Sequence, residues 1–260
     1  MLRISFEYIC YRILAPHRKG YGIHSPFVFS LFTNVFRKDD DENLDGIKRW
    51  RNELSRQNLY IETEDIGAGS QISFRKRRSV KNIIRWSSIT HKYGRILYFT
   101  AKYFEPATII ELGTGLGIST AYLSSAVPSA KMISIDADRA MHEYASAKIK
   151  DHTHNMPEFC LGRFEEFLLS KLNNAEHPLL IFIDGDHQYK SVTRYLDEIL
   201  KYARADTIIL IHDIHWSAGM KKAWNQIKDN GRGILCIDLF FMGMVFFRGG
   251  MLKQNYIINF

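Results

Sequence analysis

Two sets of residues in this 260-residue chain have the types and spacing to do chemistry. The first lies in residues 107–138, ATIIELGTGLGISTAYLSSAVPSAKMISIDAD. Glu111 closes a short apolar, β-branched run. Gly113, Gly115 and Gly117 follow as G-x-G-x-G, and Asp136 ends a second β-branched run. Glycine lacks Cβ, so a turn built from it can be tight and can bring bare backbone against a ligand. The N-terminus of the helix that follows offers unpaired N–H groups. A carboxylate at the tip of the next strand can accept hydrogen bonds from both hydroxyls of a ribose. This unit is suited to a nucleoside. The second set is Asp184, His187, His212 and Asp213, which close two later apolar runs. Carboxylates there can orient a metal ion or a histidine, and a histidine can take up a proton near neutral pH. Arg163 and Phe164, in Gly162-Arg163-Phe164-Glu165, follow a third short run.

Strands and helices must alternate to bring these residues to one edge. From residue 107 onward short apolar runs ending at Glu111, Asp136, Leu161, Asp184 and His212-Asp213 are separated by stretches with apolar residues at helical spacing. In such a sheet, ligands bind at the carboxyl ends of the strands. The end of the chain breaks the alternation. Residues 234–241 and 245–247 are apolar, with only Met242-Gly243-Met244 between them, so they must pair as an antiparallel hairpin. The expected architecture is α/β: a doubly wound, mostly parallel seven-stranded sheet with an antiparallel last strand, forming a domain over residues 105–260. Residues 1–104 read as a helical N-terminal cap. Ser25-Pro26 is a helix start signal within it, and Ile47, Trp50 and Leu54 mark an amphipathic helix.

An acid followed by G-x-G-x-G resembles the first motif of class I S-adenosylmethionine-dependent methyltransferases, whereas dinucleotide-binding turns favour G-x-G-x-x-G. The run IFIDGDHQYKSV resembles the fourth-strand motif of a bacterial group that includes macrocin and catechol O-methyltransferase-like proteins. The resemblance covers residues 107–247 and implies a Rossmann-like fold with S-adenosylmethionine as cofactor. It implies contacts to that cofactor from Glu111, Gly113, Thr114, Gly115, Gly117, Asp136, Ala137, Arg163, Phe164 and Asp184, with Glu111 and the loop facing the methionyl part and Asp136 the ribose. In relatives that use Mg2+, acids at the ends of the fourth and fifth strands hold the ion, and Asp184 and Asp213 occupy those positions. The pattern departs from both types: Ile214 follows Asp213 where the catechol type has asparagine, and His212 precedes it where the macrocin type has a second acid. His187 and His212 are the candidate bases, with Asp184 beside them.

Composition narrows the function further. The three cysteines are far apart, sit in apolar runs and lack metal-site spacing, which suits reduced core residues of a cytoplasmic protein. No stretch reaches the length of a membrane span. Glu7 and Arg12 interrupt the apolar N-terminus, so an amphipathic helix is expected there rather than a signal peptide. Such a helix can lie on a membrane surface, but packing on its own domain is the commoner fate. Residues 1–104 hold 19 Lys/Arg against 10 Asp/Glu, while residues 105–260 hold 16 against 18. The basic stretch Arg75 to Arg78 with Lys81 and Arg85 keeps an RNA-binding module or RNA methyltransferase open, but few aromatics interleave it. Glu64 to Ser70, EDIGAGS, imitates the glycine motif without the helix or acid-tipped strand after it, and reads as a loop. An NAD(P)-dependent oxidoreductase is the other alternative. The expected function is methylation of a small-molecule acceptor, with oxygen as the acceptor atom and no nucleic acid as partner. A homodimer is compatible with the sequence.

Overall fold

The apolar runs become buried strands and the 3.6-residue stripes become helices. The computed structural model describes residues 2–18, 20–39, 41–65, 74–153, 155–229, 235–247 and 253–260. The first stretch holds α1 (Leu2–Leu14), β1 (His17–Arg18), α2 (Pro26–Leu31) with a π-helical turn (Phe32–Phe36), and α3 (Asn43–Leu54). Next come β2 (Tyr60–Asp65), β3 (Phe74–Ser79), α4 (Val80–Trp86) and α5 (His91–Phe104). The alternating part follows as β4 (Thr108–Leu112), α6 (Ile118–Ala126), β5 (Lys131–Asp136), α7 (Arg139–Lys148), β6 (Glu158–Leu161) and α8 (Phe164–Asn173). It continues as β7 (Leu179–Ile183), α9 (Tyr189–Tyr202), β8 (Thr207–His212) and α10 (Ala218–Asp229). The chain closes with β9 (Leu235–Asp238), β10 (Met242–Phe246) and β11 (Gln254–Asn259). This is the mostly parallel, doubly wound α/β arrangement the alternation predicts.

The chain divides into two compact units, residues 39–179 and residues 1–38 with 180–260. In the first, β4, β5 and β6 run parallel, with Ile110 beside Ile133 and Ile135 beside Cys160. Every residue of β4 is buried, as a strand covered on both faces requires. Helix α5 approaches α6 so closely that a Cβ on Gly94 would lie 2.3 Å from the Tyr122 ring, and His91 Nδ1 lies 2.7 Å from the Tyr122 hydroxyl. Trp50 of α3 stacks on His152 with ring centroids 4.1 Å apart. The helical reading of residues 1–104 needs a correction here. β2 and β3 form an antiparallel hairpin, with Glu62 opposite Arg77 in register. Opposite charges directly across a ladder stabilise it, which gives this polar stretch a reason to be extended. Of EDIGAGS, Glu64 and Asp65 end β2, and residues 66–70 lie outside the described residues.

In the second unit the strand order is β1-β11-β9-β10-β8-β7. β10 runs antiparallel to both β8 and β9, so the expected C-terminal hairpin forms, but its turn lies at residues 239–241 and Met242, Gly243 and Met244 belong to β10. β11 and β1 add two further parallel pairings that the sequence did not announce. Helix α1 packs by one face: Tyr8 meets Phe240 and Phe241 at ring-centroid distances of 5.0 and 5.5 Å, and Tyr11 meets Phe240 at 5.2 Å. The Tyr11 hydroxyl donates to the Ile258 carbonyl, and Asn259 Nδ2 donates to the Arg12 carbonyl at 2.9 Å. Ser25 caps α2 with Pro26 at its first position, which gives the GIHSPF segment a structural part.

Candidate active site

The glycine turn is built on Glu111. Its side chain is fully buried, and Oε2 accepts from the hydroxyls of Thr120 at 2.5 Å and Ser134 at 2.6 Å. Ser134 also meets the Thr114 hydroxyl at 2.6 Å. A buried carboxylate must find such donors. Glu111 therefore ties the turn to α6 and β5, and this bonding gives it a positioning part beneath the loop. Gly113, Gly115 and Gly117 all adopt positive φ. At Gly117, the N-cap of α6, φ is 84° and a Cβ would sit 3.2 Å from Cβ of Ala145, so geometry and space both require glycine.

Asp136 is where the turn and the second strand meet. Its Oδ2 accepts from the Gly115 N–H at 2.8 Å and its Oδ1 from the Asp138 N–H at 2.9 Å. Burial raises the Asp136 pKa, and these N–H donors partly offset that. The Asp136 carbonyl accepts from the Gly162 N–H at 2.9 Å, which brings Arg163 and Phe164 beside it. Arg163 is the N-cap of α8 and Phe164 its first residue. Within this unit the structure therefore gathers Gly113, Thr114, Gly115, Gly117, Asp136, Ala137, Arg163 and Phe164 at the carboxyl ends of β4, β5 and β6. Asp184 belongs to the other unit.

In that other unit Asp184, His187, His212 and Asp213 do come together. His212 Nδ1 lies 2.8 Å from Asp184 Oδ1 and 3.7 Å from Asp213 Oδ2. His187 Nε2 lies 3.8 Å from Asp184 Oδ1 and 4.0 Å from Asp213 Oδ2. Burial opposes a charge on His212, but the Asp184 carboxylate outweighs it, aided by Asp213, and pushes the imidazole up to about 9. Burial raises the Asp213 carboxyl, against the pull of His212. Asp213 holds a left-handed backbone at φ 56°, and its N–H donates to the Phe241 carbonyl at 2.6 Å. Asp186 in the preceding turn is also left-handed, at φ 48°, and accepts from the Tyr195 hydroxyl at 3.1 Å. Among the described residues no group of three or more His, Cys, Asp or Glu is arranged to hold a metal ion.

Sequence reasoning missed a second histidine–carboxylate pair. Asp238, buried at the end of β9, accepts from His215 Nε2 at 2.8 Å, from the Trp224 indole N–H at 3.0 Å and from the Phe240 N–H at 2.9 Å. His215 stacks on Phe240 with centroids 5.0 Å apart. The available signal was an acid ending an apolar run, the same signal that marked Asp136 and Asp184.

A comparison with curated proteins gives no match. Residues 110–214 match the family described as a methyltransferase domain. Every candidate site residue from Glu111 to Asp213 falls inside that stretch, while His215 and Asp238 lie beyond it. The fold of the chain is shared with solved structures. An O-methyltransferase from Bacillus cereus in complex with SAH is 16% identical, with a TM-score of 0.54 over 84% of this chain and 97% of that one. An SAH-bound methyltransferase from Podospora anserina is 14% identical, with a TM-score of 0.58 over 88% and 97%. The O-methyltransferase TomG from Streptomyces achromogenes, in complex with SAM, is 15% identical, with a TM-score of 0.51 over 85% and 96%. At these identities the likeness is one of fold.

Proposed function

We propose that this methyltransferase domain uses S-adenosylmethionine to methylate an oxygen of a small-molecule acceptor. The observation that carries the reading is the closure of the glycine turn on Asp136, with Gly115 N–H 2.8 Å from Oδ2. An ionised carboxylate has about four acceptor positions. The backbone takes one on each oxygen of Asp136, which leaves each oxygen able to accept from a ribose hydroxyl. The G-x-G-x-G spacing supports a nucleoside without a pyrophosphate, and so favours this cofactor over a nicotinamide dinucleotide. The SAH and SAM named with the solved relatives point the same way.

Bound there, the cofactor supplies a methyl group already activated on a sulfonium, so alignment supplies most of the rate. The chain's own residues then have to manage the acceptor's proton. His212, held protonated at neutral pH by Asp184, is a poor base and acts instead to fix Asp184. His187 stands between the Asp184 and Asp213 carboxylates without a close bond to either, and is the residue we assign as base. A divalent cation fits this donor set poorly. Asp184 Oδ1 is already engaged by His212, whose own positive charge would oppose an ion shared with Asp213, and such ions require several oxygens. A small acceptor is favoured over RNA because the register sets Glu62 opposite Arg77, within the basic stretch. Residues 1–104 are taken in this reading as the cap, and of them α1 packs on Phe240 and Phe241 within its own unit.

The test is turnover with methyl-labelled S-adenosylmethionine over a panel of small hydroxylated compounds, with and without EDTA. Label on an acceptor oxygen, unchanged by chelation, is the expected result. Label entering only RNA, or turnover abolished by EDTA, would overturn the acceptor or the base assignment respectively.

A further inference from the structure

Two strand-end carboxylates of this unit each hold a histidine: Asp184 holds His212, and Asp238 holds His215. The second pair has a feature the first lacks. Asp238 is buried, and each of its oxygens already has a donor, the Trp224 indole N–H on Oδ2 and the Phe240 N–H on Oδ1. His215 is therefore not needed to satisfy the carboxylate; the carboxylate fixes His215. An ionised carboxylate only accepts, so Nε2 carries the proton, and the lone pair of the neutral ring sits on Nδ1. Nδ1 bonds to nothing among the described residues and is open to solvent. The ring is also held by its face, stacked on Phe240 at an interplanar angle of 17°. Phe240 adopts a left-handed backbone at φ 72° to lie there. Such a conformation is costly for a bulky residue and is found where a site requires it.

Topology places this bare nitrogen on the acceptor side. β8 and β9 both pair antiparallel with β10, so they run parallel to each other and their carboxyl ends share one edge of the sheet. Those ends stand two strand spacings apart, roughly 10 Å. The Asp213 N–H bond to the Phe241 carbonyl ties the loop that carries His215 to the turn after β9. His187 approaches Asp213 from the β7 side, with Nε2 4.0 Å from Oδ2, whereas His215 leans toward the end of β9. The two histidines flank the end of β8 within one compact unit, at a separation that one small molecule can span.

We propose that His215 is a specificity-determining residue of the acceptor site, its Nδ1 accepting a hydrogen bond from a second hydroxyl of the acceptor while His187 serves the hydroxyl that is methylated. The assignment rests on the methyl transfer proposed above. The test is turnover of methyl-labelled S-adenosylmethionine by the full chain on aromatic and alicyclic diols with hydroxyls at opposite ends, each paired with the alcohol that lacks one of them. Removing the second hydroxyl should cost the wild type at least about tenfold in kcat/KM, mostly through KM. His215→Gln keeps an amide for Asp238 but puts no nitrogen where Nδ1 was. It should cost the diol a similar factor, with kcat and melting temperature close to wild type. On the paired alcohol the same variant should cost far less, because the contact is already gone. His215→Asn, whose amide lies near the place of Nδ1, should recover part of the loss. ¹⁵N NMR of the neutral histidines reads the tautomer without turnover, with a protonated Nε2 and a bare Nδ1 expected for His215. Equal kcat/KM for both members of every pair, an equal loss from His215→Gln on both, or a protonated Nδ1 overturns the proposal and leaves methyl transfer standing. Label entering no hydroxylated compound overturns both.

Discussion

Asp184→Asn should release His212 from its charged state. Burial alone would depress that imidazole, and it is the carboxylate 2.8 Å from Nδ1, with Asp213 at 3.7 Å, that pushes it from an ordinary 6.5 up to about 9. With Asp184 neutral, burial regains the upper hand over the weaker Asp213 contribution. We expect the His212 pKa to fall by at least about 2 units, a coupling on the order of 3 kcal/mol. The raised value also makes a statement about stability. The folded protein holds this proton more tightly than the unfolded chain does. The resulting stabilisation is fully present below the unfolded value of 6.5 and is lost as pH rises through about 9. The wild type should therefore lose stability over that window, while Asp184→Asn should vary much less. NMR titration of the histidine Cε1–H signals, with His212→Gln to assign the resonance, reads the pKa directly. Urea denaturation below pH 6.5 and above pH 9 reads the linkage. A wild-type His212 that titrates near 6.5, or a midpoint unmoved by Asp184→Asn, would refute the reasoning.

Three further outcomes follow from the same geometry. Asp136→Ala removes the acceptor of two backbone N–H groups and of the proposed ribose contacts, and should weaken SAH binding by about 1.5–3 kcal/mol by calorimetry. Gly117→Ala places a Cβ at φ 84° against Ala145, and should cost about 1–2 kcal/mol of stability in a denaturant melt. His187→Ala should lower kcat by about 10²–10⁴ while leaving SAH affinity within a few-fold of wild type, the reverse of the pattern expected for Asp136→Ala.

The sequence made the strand–helix alternation legible because each buried strand is a short apolar run and each helix carries its own stripe. The final hairpin was legible for a different reason: no helix fits between residues 241 and 245. What stayed hidden depended on partners far along the chain. Residues 60–65 and 74–79 are polar and look like surface coil until Glu62 is set opposite Arg77, and no local pattern reveals that pairing. β11 is half exposed along its length and β1 has two residues, so neither shows a buried run. In the site, residue types and strand-end positions singled out Asp136, Asp184 and His212, each of which has close polar neighbours in the structure. They could not say which way Glu111 would turn, because the hydroxyls of Thr120 and Ser134 that draw it inward lie 9 and 23 residues away. Nor could they separate His212 from His187, whose difference arises from one carboxylate oxygen at 2.8 Å from the first and 3.8 Å from the second.

The central claim is that the glycine turn and Asp136 bind the nucleoside of S-adenosylmethionine. Isothermal titration of the full chain with SAH and, separately, with NAD tests it most directly. Saturable binding of SAH at one site per chain and no measurable heat with NAD are expected. A folded protein that takes NAD and ignores SAH would contradict it.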